Sequence, residues 1–211
     1  MFLGKDKAWS VLAFRYLMGC RANVGLVVAP DPTGDLAMQA RIFNVPVVSR
    51  FKPVDGFDVG LAYLYPNMMP KEVLDKVPIL NFHTAPLPDY KGFGGVNFAI
   101  LDELKEWGVS VHWMTPELDS GPIVAVHRFP INPETETALS LDILAQNKLF
   151  ELYMDTVHRL LDGQPLNGEA KTGGKVITRI DFEQARTTGE VTDRKRRAFL
   201  YPPYLGAEDS T

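Results

Sequence analysis

Asn81, Phe82 and His83 close an apolar run that begins at Val77. Residues two apart on a strand project from the same face, so Asn81 and His83 aim together. A side-chain amide and an imidazole side by side can donate two hydrogen bonds to one carbonyl oxygen. An acyl-transfer transition state needs this, because that oxygen turns negative as it forms. Asp119 follows in the turn-rich segment Thr115-Pro116-Glu117-Leu118-Asp119-Ser120-Gly121, where a carboxylate can orient His83 or take up a proton. A plainer reading stands beside this one: Asp-Ser-Gly is ordinary turn chemistry, and most His and Asp side chains only satisfy local hydrogen bonds.

These residues need a scaffold, and the apolar pattern predicts one. Short apolar runs alternate with helical stretches: a first strand ending at Phe2-Leu3-Gly4, a helix near 8–18, a strand 24–29 and a helix 35–44. Alternation of this kind predicts an α/β fold around a parallel sheet. Strands follow near 46–48 and 57–64, then a short helix after Pro70 and a strand 77–82 that the prolines at 86 and 88 bring to an end. A helix over 96–106, two strands at 109–114 and 123–131, and one long helix over 137–161 complete the pattern, with Asp162, Gly163 and Pro165 as its stop. In an open parallel sheet ligands bind outside the carboxyl ends of the strands, which is where Asn81 and His83 fall.

We divide the chain into 1–165, a catalytic domain, and 166–211, an extension that is too small to fold alone and serves acceptor binding or packing. The extension carries a short apolar run at 176–182, a basic cluster Arg194–Arg197 and the aromatic, proline-rich stretch Phe199–Tyr204.

Composition removes several function classes. With 45% hydrophobic residues the chain can bury one good core. A net charge of −4 gives no global pull toward nucleic acid or an anionic membrane surface, and neither partner is expected. The single cysteine, Cys20, cannot form an internal disulfide, and no apolar run approaches the roughly 20 residues of a membrane span, so a cytoplasmic location is the expectation. No Gly-x-Gly-x-x-Gly follows the first strand, which argues against a dinucleotide. His112, His127 and His158 stand apart without cysteine partners; no metal is expected, and we read all three as structural or solvated.

The residues around the pair add a resemblance. Asn81-Phe82-His83-Thr84-Ala85-Pro86-Leu87-Pro88-Asp89-Tyr90-Lys91-Gly92, then Gly108-Val109-Ser110-Val111-His112, then Leu118-Asp119-Ser120-Gly121-Pro122-Ile123 together resemble the folate-dependent formyltransferases. That family includes the methionyl-tRNA, glycinamide ribonucleotide and nucleotide-linked amino-sugar formyltransferases. The resemblance runs from about Phe2 to Leu161 and implies a Rossmann-like, parallel or mixed sheet flanked by helices, with 10-formyltetrahydrofolate as co-substrate. It also implies roles: Asn81 and His83 would bind the formyl oxygen, and Asp119 would assist His83 and the proton leaving the amine. The pterin would lie against main-chain atoms of Tyr65, Pro66, Asn67 and Met68 and of Thr115, Pro116, Glu117 and Leu118; the alternative is that Met68 and Met69 fill gaps in the core. Thr84 to Pro88 depart from the usual serine and paired leucines, which leaves the triad intact and the loop's shape open.

About 45 residues follow Leu166, and those from Arg197 to Ala207 resemble the short tail of the amino-sugar enzymes. The acceptor implied is therefore a nucleotide-linked amino sugar of the kind built into lipopolysaccharide or O-antigen, with a homodimer left open. Lys91, Gly92, Arg197, Tyr201 and Tyr204 are the candidate acceptor residues: a base can stack on Tyr201 or Tyr204 and a pyrophosphate can meet Arg197. Alternatively these aromatics simply staple the tail to the core. Formylation of methionyl-tRNA, glycinamide ribonucleotide or another small amine remains open, as does a folate- or nucleotide-binding protein without catalysis.

Overall fold

The chain opens with a short buried strand, β1 (Phe2–Gly4), followed by α1 (Ala8–Gly19), β2 (Val27–Val28), α2 (Asp35–Ile42), β3 (Val47–Val48) and β4 (Gly60–Tyr63). After α3 (Lys71–Leu74) come β5 (Ile79–His83), β6 (Tyr90–Gly92), α4 (Gly95–Leu101), β7 (Glu106–Trp113), β8 (Ile123–Pro130) and α5 (Ala138–Leu161). The tail adds β9 (Lys175–Ile177), α6 (Arg179–Thr187), α7 (Asp193–Phe199) and a hairpin of β10 (Leu200–Tyr201) and β11 (Tyr204–Leu205). This computed structural model describes residues 1–51, 55–201 and 204–205, the last three of these by their backbone.

Seven strands form one sheet in the order β3-β2-β1-β4-β5-β7-β8. Pairings from β3 through β5 are parallel, whereas β5–β7 and β7–β8 are antiparallel, so the sheet is mixed. The chain leaves β1 on one side to build β2 and β3, then returns to its other side for β4. A crevice opens at such a reversal, outside the carboxyl ends of the strands.

The long helix α5 follows from its sequence. Leu141, Ala145, Leu149, Tyr153 and Val157 recur at helical spacing and are buried, and Thr137 and Ser140 form a capping box at its start. Tyr153 packs edge-on against Phe82 and Tyr63, which places the apolar face of β4 and β5 under α5. Asn81 and His83 therefore emerge on the opposite face from Phe82.

Two expected elements differ. The helix expected over 96–106 ends at Leu101, and Glu106 already begins β7; Glu103 takes a left-handed backbone, φ 54°, and the turn closes there. The run at 176–182 is not one element but the end of β9 and the start of α6, divided by Thr178, whose side chain caps the helix with Asp181. The pairing of β6 with β9 was also not foreseen. Phe182, Ala198 and Phe199 of the tail are buried in the same apolar core as Val109 and Leu149.

Candidate active site

The register of β5 against β7 places Asn81 directly across from His112, and His83 across from Ser110. Cross-strand neighbours of this kind are the closest side-chain pairs in a sheet. Accordingly Asn81 Nδ2 lies 3.0 Å from His112 Nε2, while His112 Nδ1 lies 3.0 Å from the carbonyl oxygen of Trp113. A carbonyl only accepts, so Nδ1 carries the proton and Nε2 accepts from the Asn81 amide. That fixes which way Asn81 points and leaves its second N–H free. A register shift between β7 and β8 falls at Val111/His112, where a bulge re-aims side chains.

The loop between β5 and β6 is held from below by β7. Ser110 Oγ accepts from the Leu87 amide and donates to the Ala85 carbonyl, both at 2.8 Å, and Trp107 Nε1 donates to the Thr84 carbonyl at 3.1 Å. Asp119 arrives from the turn between β7 and β8 with a left-handed backbone, φ 45°. Gly121 makes the turn possible, since a Cβ there would sit 1.8 Å from the Trp113 carbonyl oxygen.

Asp119 Oδ2 accepts from the Gly92 amide at 2.9 Å and lies 3.7 Å from His83 Nε2; its Oδ1 lies 3.6 Å from His112 Nε2. Burial alone would raise the Asp119 carboxyl, but the charge interaction with His83, together with His112 and the Gly92 amide, outweighs it and holds the group well below the usual carboxylate range. The His83 pKa is lowered as well: burial pushes it down, with the Asp119 charge opposing. Its Nε2 is buried and has no hydrogen-bond partner among the described residues. A buried polar atom in that condition is costly unless a ligand completes it.

A cleft of about 540 Å3 surrounds these groups and is lined by Asn81, His83 and Asp119 and also by Lys5, Tyr65, Pro66, Gly92, Leu118 and Arg179. The expected triad is thus brought to one place, with Gly92, Tyr65, Pro66 and Leu118 beside it. Asn67 and Met68 instead line an adjoining cleft of about 660 Å3 that shares Tyr65. Thr115, Pro116 and Glu117 lie outside both linings. Lys91 is buried with its Nζ 3.3 Å from Ser120 Oγ, not facing the cleft. Arg197 lines a separate surface cleft and is engaged by Asp193 and by the carbonyls of Pro133 and Glu136. The side chains of Tyr201 and Tyr204 fall outside the described residues.

Of the two readings given to His112, structural or solvated, the structure shows the first: it is buried and bonded to Asn81, because antiparallel pairing sets it opposite that residue. Its alternation with Ser110 on β7 was visible in the sequence, but the strand's direction and register were not. Arg179 and Lys5 were likewise missed, since neither belongs to a motif.

The formyl transferase family matches residues 48–157. Methionyl-tRNA formyltransferase of Thermus thermophilus is 36% identical over 148 residues, covering 67% of this chain and 47% of that protein. The chain spans about half the length of that relative. Among solved structures, an N-formyltransferase of Helicobacter canadensis, in complex with folinic acid and dTDP-3-aminofucose, superposes with a TM-score of 0.80 at 17% identity, over 96% of this chain and 81% of that one. A 4-N formyltransferase of Francisella tularensis gives 0.76 at 21% identity, over 96% and 88%. Those two likenesses speak to the fold.

Proposed function

Because the chain belongs to the formyl transferase family, we propose that it transfers a formyl group from 10-formyltetrahydrofolate to the amine of a nucleotide-linked amino sugar. The observation that carries this reading is the convergence of Asn81, His83 and Asp119 on one cleft, with a buried His83 nitrogen left for a ligand to satisfy. Sugar formyltransferases among the similar folds support the choice of acceptor.

The amine attacks the formyl carbon as the free base, and the formyl oxygen becomes an oxyanion. Asn81 donates to it through the N–H that His112 leaves free. His83 is the second donor when its Nε2, buried and unpartnered among the described residues, carries the ring's proton. The intermediate sheds one proton from the former amine. Asp119, held ionised, receives it; a carboxyl with so low a pKa does not keep a proton, so it passes on to N10 of the folate as the bond from N10 to the formyl carbon breaks. The products are the formamide and tetrahydrofolate, with no covalent enzyme intermediate.

The test offers purified protein 10-formyltetrahydrofolate with nucleotide-linked amino sugars, glycinamide ribonucleotide and initiator tRNA in separate arms, following tetrahydrofolate release. Turnover with the sugar nucleotides supports the reading. Turnover confined to tRNA would keep the chemistry and replace the acceptor, and no turnover with any amine would refute both.

A further inference from the structure

Arg179 is the first residue of α6 and lines the cleft that holds His83 and Asp119. Its guanidinium lies over the Phe93 ring, 4.9 Å from the centroid. Stacking occupies the flat face of a guanidinium and leaves the N–H groups on its rim for a planar or tetrahedral anion. The acidic residues nearest in the chain are engaged elsewhere: Asp181 caps Thr178, and Glu183 pairs with Arg186. Arg179 itself makes no ion pair with a described residue. Lys5 brings a second cation to the cleft from the end of β1, and the one acidic residue in the lining, Asp119, is already bonded to the Gly92 amide.

The placement of Arg179 is also rigid. Gly92 and Phe93 carry adjacent amides, of which the first donates to Asp119 Oδ2 and the second to the Ile177 carbonyl, each at 2.9 Å. A Cβ on Gly92 would lie 2.2 Å from that same carbonyl oxygen, so only glycine allows the two strands this approach. The strand that leads into Arg179 is therefore bolted to the loop that holds the site's carboxylate. Phe182, buried in the core, packs edge-on against Phe93 and keeps that platform in place.

We propose that Arg179, stacked on Phe93, is the residue that seats a phosphate or pyrophosphate group of the acceptor at the mouth of the cleft. The inference rests on the acceptor reading above. It assigns to Arg179 the part that the sequence suggested for Arg197, whose guanidinium is already committed.

The experiment uses the full chain and two readouts. Calorimetry with a nucleoside diphosphate as probe is run on wild type, Arg179→Ala and Arg179→Lys; steady-state kinetics then vary the sugar nucleotide and 10-formyltetrahydrofolate separately. Arg179→Ala should weaken the nucleoside diphosphate and raise the acceptor KM by about tenfold or more, with kcat and the folate KM nearly unchanged and the lysine variant in between. An unchanged acceptor KM, or a rise in the folate KM alone, overturns the proposal, the latter by assigning Arg179 to a carboxylate of the donor. Absence of diphosphate binding to the wild type overturns it too. Turnover by the wild type with unshifted Arg179 variants sinks this inference alone, whereas absence of turnover with every amine sinks the acceptor reading beneath it.

Discussion

If His112 works by holding Asn81, its loss should be felt only while Asn81 is present. In His112→Phe the ring volume stays roughly filled, but the Asn81 amide loses the acceptor 3.0 Å away and is free to rotate. One net hydrogen bond is worth about 1 kcal/mol, and about 1.4 kcal/mol is a factor of ten in rate, so kcat should fall roughly fivefold. Asn81→Ala removes an oxyanion donor outright and should cost on the order of 10² or more. Independent effects would multiply to roughly 500-fold in the double variant. A positioning role predicts instead that the double variant loses no more than Asn81→Ala alone. The assay is tetrahydrofolate release at saturating substrates, with thermal melts to verify that each variant is folded. His112→Gln, which can still accept from Asn81, should recover part of the loss. Multiplicative losses, or an undiminished kcat in His112→Phe, would refute the reasoning.

Other outcomes follow from the same geometry. His83→Ala should lower kcat by on the order of 10² or more, and because burial depresses its pKa the His83 ring, followed by NMR in the wild type, should titrate below the unperturbed value near 6.5. Asp119→Asn should lower kcat and drop the His83 pKa further, as read by NMR titration, since the Asp119 charge is the larger of the two influences that raise it, ahead of the hydrogen bond to the Tyr90 backbone. The depressed Asp119 carboxyl contributes stability that is present above about pH 4 and lost as pH falls toward its folded value; urea midpoints measured between pH 5 and pH 2 should therefore fall less steeply in Asp119→Asn than in wild type. Phe182→Ala empties a buried site in the tail and should cost about 3–5 kcal/mol in urea unfolding, with early proteolysis after residue 170. Gly121→Ala drives a methyl into the Trp113 carbonyl and should lower Tm together with kcat, because the turn it breaks carries Asp119.

What could be read from the sequence was local. Periodicity located α1, α2, α5 and the strands around them, because burial on one face repeats every 3.6 or 2 residues wherever an element packs against a core. The period-two spacing of Asn81 and His83 put them on one face, and turn chemistry marked the loop of Asp119. Boundaries read less well: the helix after Gly94 stops at Leu101 because Glu103 adopts a left-handed turn, and a single backbone angle leaves no periodic trace.

What the sequence could not state is what lies across a strand or across the chain. His112 acquires its partner from the antiparallel register of β5 and β7, and sliding that register by one residue would turn it to the other face. The 1–165 and 166–211 division, which we retain as a proposal, met a similar limit, since Phe182 and Phe199 complete the core of the first part. Arg197 sat in the conspicuous basic cluster, yet it is spent on carbonyls and Asp193, while the isolated Arg179 reaches the cleft. Charge and residue type are properties of the chain, so the sequence determined which groups were available. Which of them face one another depends on strand order and on where a distant segment pairs, and those are set by long-range packing that only the tertiary structure decided.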